Sequence, residues 1–342
     1  MGSGLVLAIE TSCDETAVAL ADGEGQILLS EVASQVEIHA PYGGVVPELA
    51  SRNHSVDLRP LVEHVLEKGG VGWDEIGVIA ATSGPGLASS LLIGDTTAKA
   101  IAAANGCPFY SINHMEGHLL SPFIGRTSDV PPHVGLVVSG GHTLLVDVRG
   151  VGEYSVIGST KDDAAGEAFD KVGKMLGLPY PGGPEIAKRA AAGNSAAYDF
   201  PRSMLDSGDF DFSFSGLKTS ALYQLQKIGE PVDEATIADL AASFQEAVVD
   251  VLVKKLFRAA QIVPSEVVAV SGGVSCNERL RSRISKEAVR KEKELYLAAP
   301  SFSTDNAGMI AFAAALRRRA GIDGSSLQGD IDPNLTLTAA NT

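Results

Sequence analysis

Two strand hairpins, about 130 residues apart, limit what this chain can fold into more than any other feature of it. The first, Leu5-Val6-Leu7-Ala8-Ile9-Glu10-Thr11-Ser12-Cys13-Asp14-Glu15-Thr16-Ala17-Val18-Ala19-Leu20, reads as strand, polar turn, strand. His133-Val134-Gly135-Leu136-Val137-Val138-Ser139-Gly140-Gly141-His142-Thr143-Leu144-Leu145-Val146-Asp147-Val148 repeats the design. Aliphatic runs broken only by small, hydroxyl or acidic residues suit antiparallel pairs with tight turns. A hairpin used twice in 342 residues predicts two related halves, each with its own core.

The segments between and after the hairpins read as crossovers. From Pro47 to Lys68, Leu58, Leu61, Val62, Val65 and Leu66 recur at helical spacing, with Pro60 expected to kink or split the helix. Ile76-Gly77-Val78-Ile79-Ala80-Ala81 reads as a buried strand, joined through Thr82-Ser83-Gly84-Pro85-Gly86-Leu87 to a small-residue helix reaching about Asn105. A long helix from about Asp233 to Ala260 carries Ile237, Leu240, Phe244, Val248, Leu252 and Leu256 on one face. Val267-Val268-Ala269-Val270 then runs as a strand into Ser271-Gly272-Gly273. Hairpins combined with crossovers predict an α/β fold whose sheets are not purely parallel, and the residues from about Ser325 read as a loosely ordered tail.

Charge and cysteine usage narrow the function classes. A net charge of -15 and a pI near 4.9 leave no general basic face. Nucleic-acid binding is driven by phosphate neutralisation, so such a role here requires a local basic patch or a partner protein. Cys13, Cys107 and Cys276 are far apart, which argues against a disulfide framework or a four-cysteine zinc site. No apolar run approaches membrane-spanning length, and Leu5-Val6-Leu7-Ala8-Ile9 is too short for a signal-peptide core and lacks a basic leader. The expectation is a cytoplasmic protein that makes no use of a membrane.

In His114-Met115-Glu116-Gly117-His118 the two histidines share one face of a helix and can grip one ion, although an ordinary surface helix produces the same spacing. Glu116 does not directly follow the first histidine, which removes the zinc-protease pattern. Ser303-Thr304-Asp305-Asn306 precedes a helix ending in Arg317-Arg318-Arg319. Asp305 is there either an N-cap or the third member of a two-histidine, one-carboxylate set that leaves metal positions open.

Ser139-Gly140-Gly141-His142-Thr143 either lets backbone N–H groups approach an anion or is only a turn. Ser271-Gly272-Gly273-Val274-Ser275-Cys276-Asn277 leaves a strand and opens a helix, the usual setting for a nucleotide at a helix N-terminus. Asp162, Asp163, Glu167, Asp170 and Lys171 crowd one helix start. Asp162 and Asp163 suit N-caps, while Glu167 and Asp170 either receive ribose hydroxyls or form a solvated acidic face. Tyr180-Pro181-Gly182-Gly183-Pro184 reads as a rigid, ligand-facing turn.

Together with Glu10-Thr11-Ser12-Cys13-Asp14-Glu15-Thr16 and Phe214-Ser215-Gly216-Leu217-Lys218, these stretches resemble, in identity and order, the motifs of the tRNA threonylcarbamoyladenosine transferase family across nearly the whole chain. The resemblance implies the two-lobed actin-like ATPase (ASKHA) fold. Its N-terminal lobe would cover residues 1–130, with the C-terminal helix returning to it. The C-terminal lobe would cover 131–325 with a helical insertion at about 160–230, followed by a tail, 326–342.

The implied reaction moves a threonylcarbamoyl group from threonylcarbamoyl-AMP to N6 of the adenosine 3′ to the anticodon, in tRNAs reading codons that begin with A. By motif, the resemblance assigns one divalent metal, iron or zinc, to His114, His118 and Asp305, which become the catalytic residues. It assigns the adenylate, or ATP, to Val137, Val138, Ser139, Gly140, Gly141, Asp170, Gly183 and Asn277, and places Asp14 and Glu15 in the first phosphate loop. The implied partners are tRNA, a TsaB-like inactive paralogue and a TsaE-like ATPase. Leu87-Ala88-Ser89-Ser90, Asp95 and Gly173 depart from the family's usual residues and read as packing changes.

Two rival functions use the same loops. A small-molecule kinase or ATPase of this fold would bind ATP and use Asp14 for magnesium, leaving the histidine pair idle. A nucleotide-binding scaffold would not need the metal residues. For tRNA, the expected basic surface is Arg279, Arg281, Arg283, Lys286, Arg290, Lys291 and Lys293, with Arg317-Arg318-Arg319 as a second candidate. Glu278, Glu287, Glu292 and Glu294 interleave with the first, so a solvated helix of paired charges is the alternative.

Overall fold

The computed structural model describes residues 4–126, 129–229 and 231–337. The chain runs through β1 (Leu5–Glu10), β2 (Glu15–Ala21), β3 (Ile27–Ser34), α1 (Val36–His39), α2 (Pro47–Gly69), β4 (Ile76–Gly84), α3 (Ala88–Asn105), β5 (Phe109–Asn113) and α4 (His114–Leu120). Next come β6 (His133–Val138), β7 (Thr143–Gly150), β8 (Glu153–Ser159), α5 (Ala165–Met175), α6 (Gly182–Ala190), α7 (Ser215–Ile228) and α8 (Glu234–Ile262). The last elements are β9 (Val267–Ser271), α9 (Glu278–Arg290), β10 (Glu294–Leu297) and α10 (Ala307–Arg319). Two compact units result, one from Met1–Val130, Gly150–Tyr154 and Ala298–Thr342, the other from Pro131–Arg149 and Ser155–Leu297.

Each unit is organised on the same five-stranded sheet. The orders are β3-β2-β1-β4-β5 and β8-β7-β6-β9-β10, which in chain order are both third, second, first, fourth, fifth. β1 pairs β2 antiparallel and β4 parallel, just as β6 pairs β7 antiparallel and β9 parallel. The repeated hairpins are therefore equivalent: Ile9 lies opposite Val18 as Val137 lies opposite Leu144. The mixed α/β sheets expected from hairpins plus crossovers are what forms.

In the first unit, α2 lays Leu58, Val62, Val65 and Leu66 into one cluster with Leu7, Ile9, Val18 and Leu20 of the sheet. It is one helix of 23 residues with Pro60 inside, neither ended nor split there. Proline removes a single backbone donor, and the buried aliphatics on both sides of it hold the helix to the sheet. In the second unit, Asp233 caps α8 by accepting from the Thr236 N–H at 2.7 Å. Leu240, Phe244, Val248, Leu252 and Leu256 of the expected stripe are all buried in the core cluster. Gly173 admits a close helix contact, since a Cβ there would lie 2.8 Å from Gly182 Cα.

Asp95 does more than pack. It is buried, accepts from the Ser83 hydroxyl at 2.6 Å and pairs with Lys99 at 2.5 Å. Lys99 also donates to the Gly329 carbonyl at 2.5 Å, which ties it to the C-terminal segment. Residues 325–337 of that segment are irregular but anchored, contrary to the expectation of a loose tail, whose last residues lie outside the described ones. Ser325 N–H donates to the Phe109 carbonyl at 2.7 Å, Asp332 N–H to Ser83 at 2.8 Å, and Gly86 N–H to Pro333 at 3.1 Å. Asn113 Nδ2 donates to the Thr336 carbonyl at 3.2 Å. Backbone groups around the ends of β4 and β5 need partners, and this strap supplies them. Gly84 is required beneath it, because a Cβ would overlap the Asp332 carbonyl. Among the described residues, no helix is long and apolar enough to cross a membrane.

Candidate metal centre

α4 begins at the end of β5, where the Asn113 side chain accepts from the Met115 N–H at 2.8 Å and caps the helix. All seven of its residues are buried. Positions i and i+4 share a helix face, so the His114 and His118 rings meet edge to face with centroids 4.7 Å apart. Gly117 lets α4 approach α10 closely, since a Cβ there would lie 3.0 Å from Met309 and Ile310 atoms.

Asp305 completes the cluster. Its Oδ1 lies 3.3 Å from His114 Nε2 and 3.1 Å from His118 Nε2. The N-cap of α10 is the neighbouring Asn306, which accepts from the Met309 N–H at 2.9 Å. The cap reading of Asp305 is thereby removed. One ligand atom from each of His114, His118 and Asp305 can be chosen so that all lie within 4.8 Å of one another. Two imidazole nitrogens and a carboxylate oxygen are a donor set that suits iron or zinc.

The electrostatics also favour a cation. Burial opposes charge on His114, but the Glu10 and Asp305 carboxylates outweigh it and hold the imidazole pKa well above its ordinary value. Burial acts against the Asp305 carboxylate too, yet His114 and then His118 hold that carboxyl well below the usual range. Burial lowers His118 and keeps it a neutral donor. The residues present therefore fit a divalent ion.

Glu116 takes no part in this cluster. Its fully buried carboxylate accepts from the Tyr154 hydroxyl at 2.9 Å and from Arg317 Nε at 3.0 Å. Its other oxygen lies 2.6 Å from the Arg317 guanidinium, an ion-pair contact without hydrogen-bond alignment. A carboxylate engaged in this way is no general base, in keeping with the misplaced protease spacing.

Asp14 and Glu15 stand at the start of β2 in the same unit. Glu15 accepts from the Ser34 hydroxyl at 2.9 Å, while its Oε2 is buried without a hydrogen-bond partner. Burial pushes the Glu15 carboxyl up to about 7, and raises that of Asp14 as well. Both feel the negative charge of Asp305.

The glycine loops belong to the second unit. Val137 and Val138 end β6 and are fully buried. Ser139 N–H donates to the His142 carbonyl at 2.8 Å, and Ser139 Oγ accepts from the His142 N–H at 3.2 Å. Gly140 and Gly141 are exposed at the tip of this turn, where a Cβ on either would meet nothing within 4 Å. Protein packing does not demand glycine there. Packing does demand it around the turn: a Cβ on Gly166 would lie 2.5 Å from the Ser139 carbonyl, and one on Gly272, at φ +88°, would overlap the Val138 carbonyl. Asp170 Oδ1 accepts from the Gly182 N–H at 2.7 Å and ties α5 to the start of α6, beside Gly183. Asn277 caps α9 through Leu280 N–H at 3.0 Å and donates to Gln245 at 2.7 Å.

A family model described as tRNA N6-adenosine threonylcarbamoyltransferase matches residues 26–312. A protein of that name from Bdellovibrio bacteriovorus is 48% identical over 322 residues, which is 92% of this chain and 93% of the relative. Another, from an Anaeromyxobacter species, is 50% identical over 323 residues, 93% of this chain and 97% of the relative. The chain belongs to the tRNA N6-adenosine threonylcarbamoyltransferase family. Solved structures with a similar fold include T. kodakarensis HypF, at TM-score 0.61 and 14% identity over 93% of this chain and 48% of that one. Component A of (R)-2-hydroxyglutaryl-CoA dehydratase from Acidaminococcus fermentans is similar at TM-score 0.54 and 14% identity, over 94% of this chain and all of that one. Such distant likeness bears on the fold alone, and the fold is the actin-like one.

In a family named for a tRNA substrate, many of the basic side chains are already engaged within the chain. Arg279 makes paired hydrogen bonds to Glu246 at 2.7 and 2.9 Å, and Arg283 joins Glu246 to Asp250. Arg290 pairs with Glu287, and Lys293 with Glu266. Arg281 donates to the Ser275 carbonyl. In the second cluster, Arg317 serves Glu116, and Arg319 lies near Glu24 and Asp129. Arg279, Arg283, Arg290 and Lys293 are thus ion-paired, so the helix of paired charges forms in part.

Sequence reasoning gave no individual role to Glu10, Thr82 or Asn113. A signal for Glu10 was present: an acidic residue closing the aliphatic run Leu5 to Ile9 ends up buried and needs donors.

Proposed function

We propose that this chain transfers a threonylcarbamoyl group from threonylcarbamoyl-AMP to N6 of the adenosine 3′ to the anticodon in tRNA. Family membership supports the activity, and the meeting of His114, His118 and Asp305 is the observation that favours catalysis over a nucleotide-binding scaffold. A kinase or ATPase on this fold would leave that cluster idle.

In the reaction the N6 nitrogen bonds to the carbamoyl carbon, the bond from that carbon to the phosphate oxygen breaks, and AMP leaves with the electron pair. One N6 proton must be accepted. A divalent cation, iron or zinc, held by His114 Nε2, His118 Nε2 and Asp305 would supply Lewis acidity that polarises the acyl oxygen and orients the threonyl group. The N6 proton passes to solvent water or to the departing phosphate. In the second unit, the Gly140 and Gly141 N–H groups of the Ser139-Gly140-Gly141 turn would hold the phosphate, with Asp170, Gly183 and Asn277 at the nucleoside. The net charge of -15 and the paired arginines support tRNA capture in an assembly with a TsaB-like paralogue and a TsaE-like ATPase, in the cytoplasm.

Nucleoside mass spectrometry on tRNA from depleted cells tests this, with rescue by wild type or by the His114→Ala, His118→Ala double variant. Loss of threonylcarbamoyladenosine restored by wild type alone is the expected result. Rescue by both would discard the metal mechanism, and an unchanged nucleoside on depletion would discard the transferase.

A further inference from the structure

We infer that Glu10 is a positioning residue of the metal centre, selecting the tautomer of His114 and aiming its Nε2 lone pair. The inference rests on the reading of His114, His118 and Asp305 as metal ligands. Glu10 is the last residue of β1 and is fully buried. A buried carboxylate must find donors, and three converge on it. Ser12 N–H donates to Oε1 at 2.5 Å, the Thr82 hydroxyl donates to Oε2 at 2.5 Å, and His114 Nδ1 lies 2.9 Å from Oε2.

An ionised carboxylate can only accept, so the proton of that last bond resides on His114 Nδ1. With Nδ1 kept protonated by Glu10, it is Nε2, 3.3 Å from Asp305 Oδ1, that gives up its proton and offers its lone pair when a metal ion binds. Ser12 Oγ also lies 3.2 Å from Nδ1, but a hydroxyl can donate or accept and so selects no tautomer. Rigidity comes from the fold. β1 lies between β2 and β4, and Thr82 belongs to β4, so the sheet fixes both the carboxylate and one of its donors. Glu10 and Asp305 together also balance the charge of a divalent ion.

His118 provides the contrast. Its Nδ1 is buried and has no hydrogen-bond partner, so on that side of the ring packing alone takes the place of an outer carboxylate. Glu10 supplies to one ligand the outer carboxylate that commonly orients and strengthens metal-bound histidines.

The test is zinc affinity of the full chain, measured by competition with a chromophoric chelator, for wild type and Glu10→Gln. The glutamine is nearly isosteric, but its NH2 must face either Ser12 N–H or the Thr82 and His114 donors. Affinity is expected to fall about 10- to 100-fold. The visible absorption of the cobalt-saturated variant should also change, which a merely structural role would not cause in a site still filled. Should Glu10→Gln not fold, long-range 15N–1H spectra of the zinc-loaded wild type decide the question. His114 must then show a protonated Nδ1 and a metal-bound Nε2; the reverse pattern overturns the inference. Wild-type affinity in Glu10→Gln overturns it as well. If His114→Ala and His118→Ala also retain wild-type zinc affinity, the metal reading itself fails; if they lose zinc while Glu10→Gln keeps it, only the positioning role fails.

Discussion

Replacing Arg317 with methionine should destabilise the first unit severely, because it strands a buried carboxylate. Glu116 has no exposed side-chain surface, and Arg317 supplies contacts at 3.0 and 2.6 Å to its two oxygens. After the substitution, the Tyr154 hydroxyl at 2.9 Å is, among the described residues, the contact that still serves the carboxylate. Breaking a buried pair from one side costs about 3–5 kcal/mol, because the remaining charge has lost its compensation. The surviving tyrosine bond argues for the lower part of that range. With a urea slope of ~2 kcal/mol per molar, the unfolding midpoint should fall by about 1.5 M or somewhat more. Trp73 is the single tryptophan and belongs to the first unit, so its fluorescence follows the relevant transition. The double variant Glu116→Gln, Arg317→Met should recover most of the loss, since a neutral amide keeps the tyrosine bond and carries no stranded charge. A loss below about 1 kcal/mol in the single variant, or no recovery in the double, would refute the reasoning.

Glu15→Gln should raise the urea midpoint of metal-free protein at pH 8 and leave it nearly unchanged at pH 4, below the unfolded value. The folded-state carboxyl is raised from 4.5 to about 7, so its contribution is present below the unfolded value and lost as pH rises through 7. A pH-independent effect would count against the buried environment assigned to it. Truncation after Gln328 removes the bonds from Lys99, Ser83, Gly86 and Asn113 to the strap and should cost about 2–4 kcal/mol, at roughly 1 kcal/mol per bond. Faster amide exchange in α4 should accompany it, because Asn113 both caps that helix and contacts the strap; unchanged exchange would show the cap to be independent. The isolated chain should bind tRNA more weakly than its assembly with a TsaB-like paralogue at one fixed salt concentration, and equal affinities would contradict a basic surface largely engaged within the chain.

What could be read from the sequence depended on whether a residue's partner was a near neighbour. The hairpins announced themselves because strand periodicity is local, and the histidine pair because its spacing is about one helical turn. Asp305 was ambiguous for a local reason as well: Asn306 beside it could cap just as well, and does. Long-range partners defeated the reading elsewhere. The tail looked loose because the groups that hold it come from far along the chain, Lys99 meeting Gly329 across 230 positions. Arg317 looked like part of a basic patch because Glu116, 201 residues away, gave no sign of claiming it. Pro60 was overweighted, since the local rule for proline ignores how firmly a sheet can hold the helix that contains it.

The equivalence of the two hairpins gives the divergence of their turns a chemical meaning. In the first unit, the strand pair and its turn carry Glu10, Asp14 and Glu15, and the donors nearby are spent on those carboxylates: Ser12 N–H and the Thr82 hydroxyl on Glu10, the Ser34 hydroxyl on Glu15. That end of the sheet is built to surround positive charge. In the second unit, the equivalent turn has no acidic residue from Val138 to Thr143 and carries two exposed glycines with open space where side chains would stand. There the backbone N–H groups are left approachable, which suits an anion. Under the proposed function, the first hairpin's turn would serve the cation and the second would serve the adenylate phosphate. A reaction in which a phosphate-linked acyl group departs from AMP calls for both. Exchanging the characters tests the argument: Gly140→Asp should weaken adenylate binding while leaving zinc affinity intact, and loss of zinc instead would show that the two turns do not divide the chemistry this way.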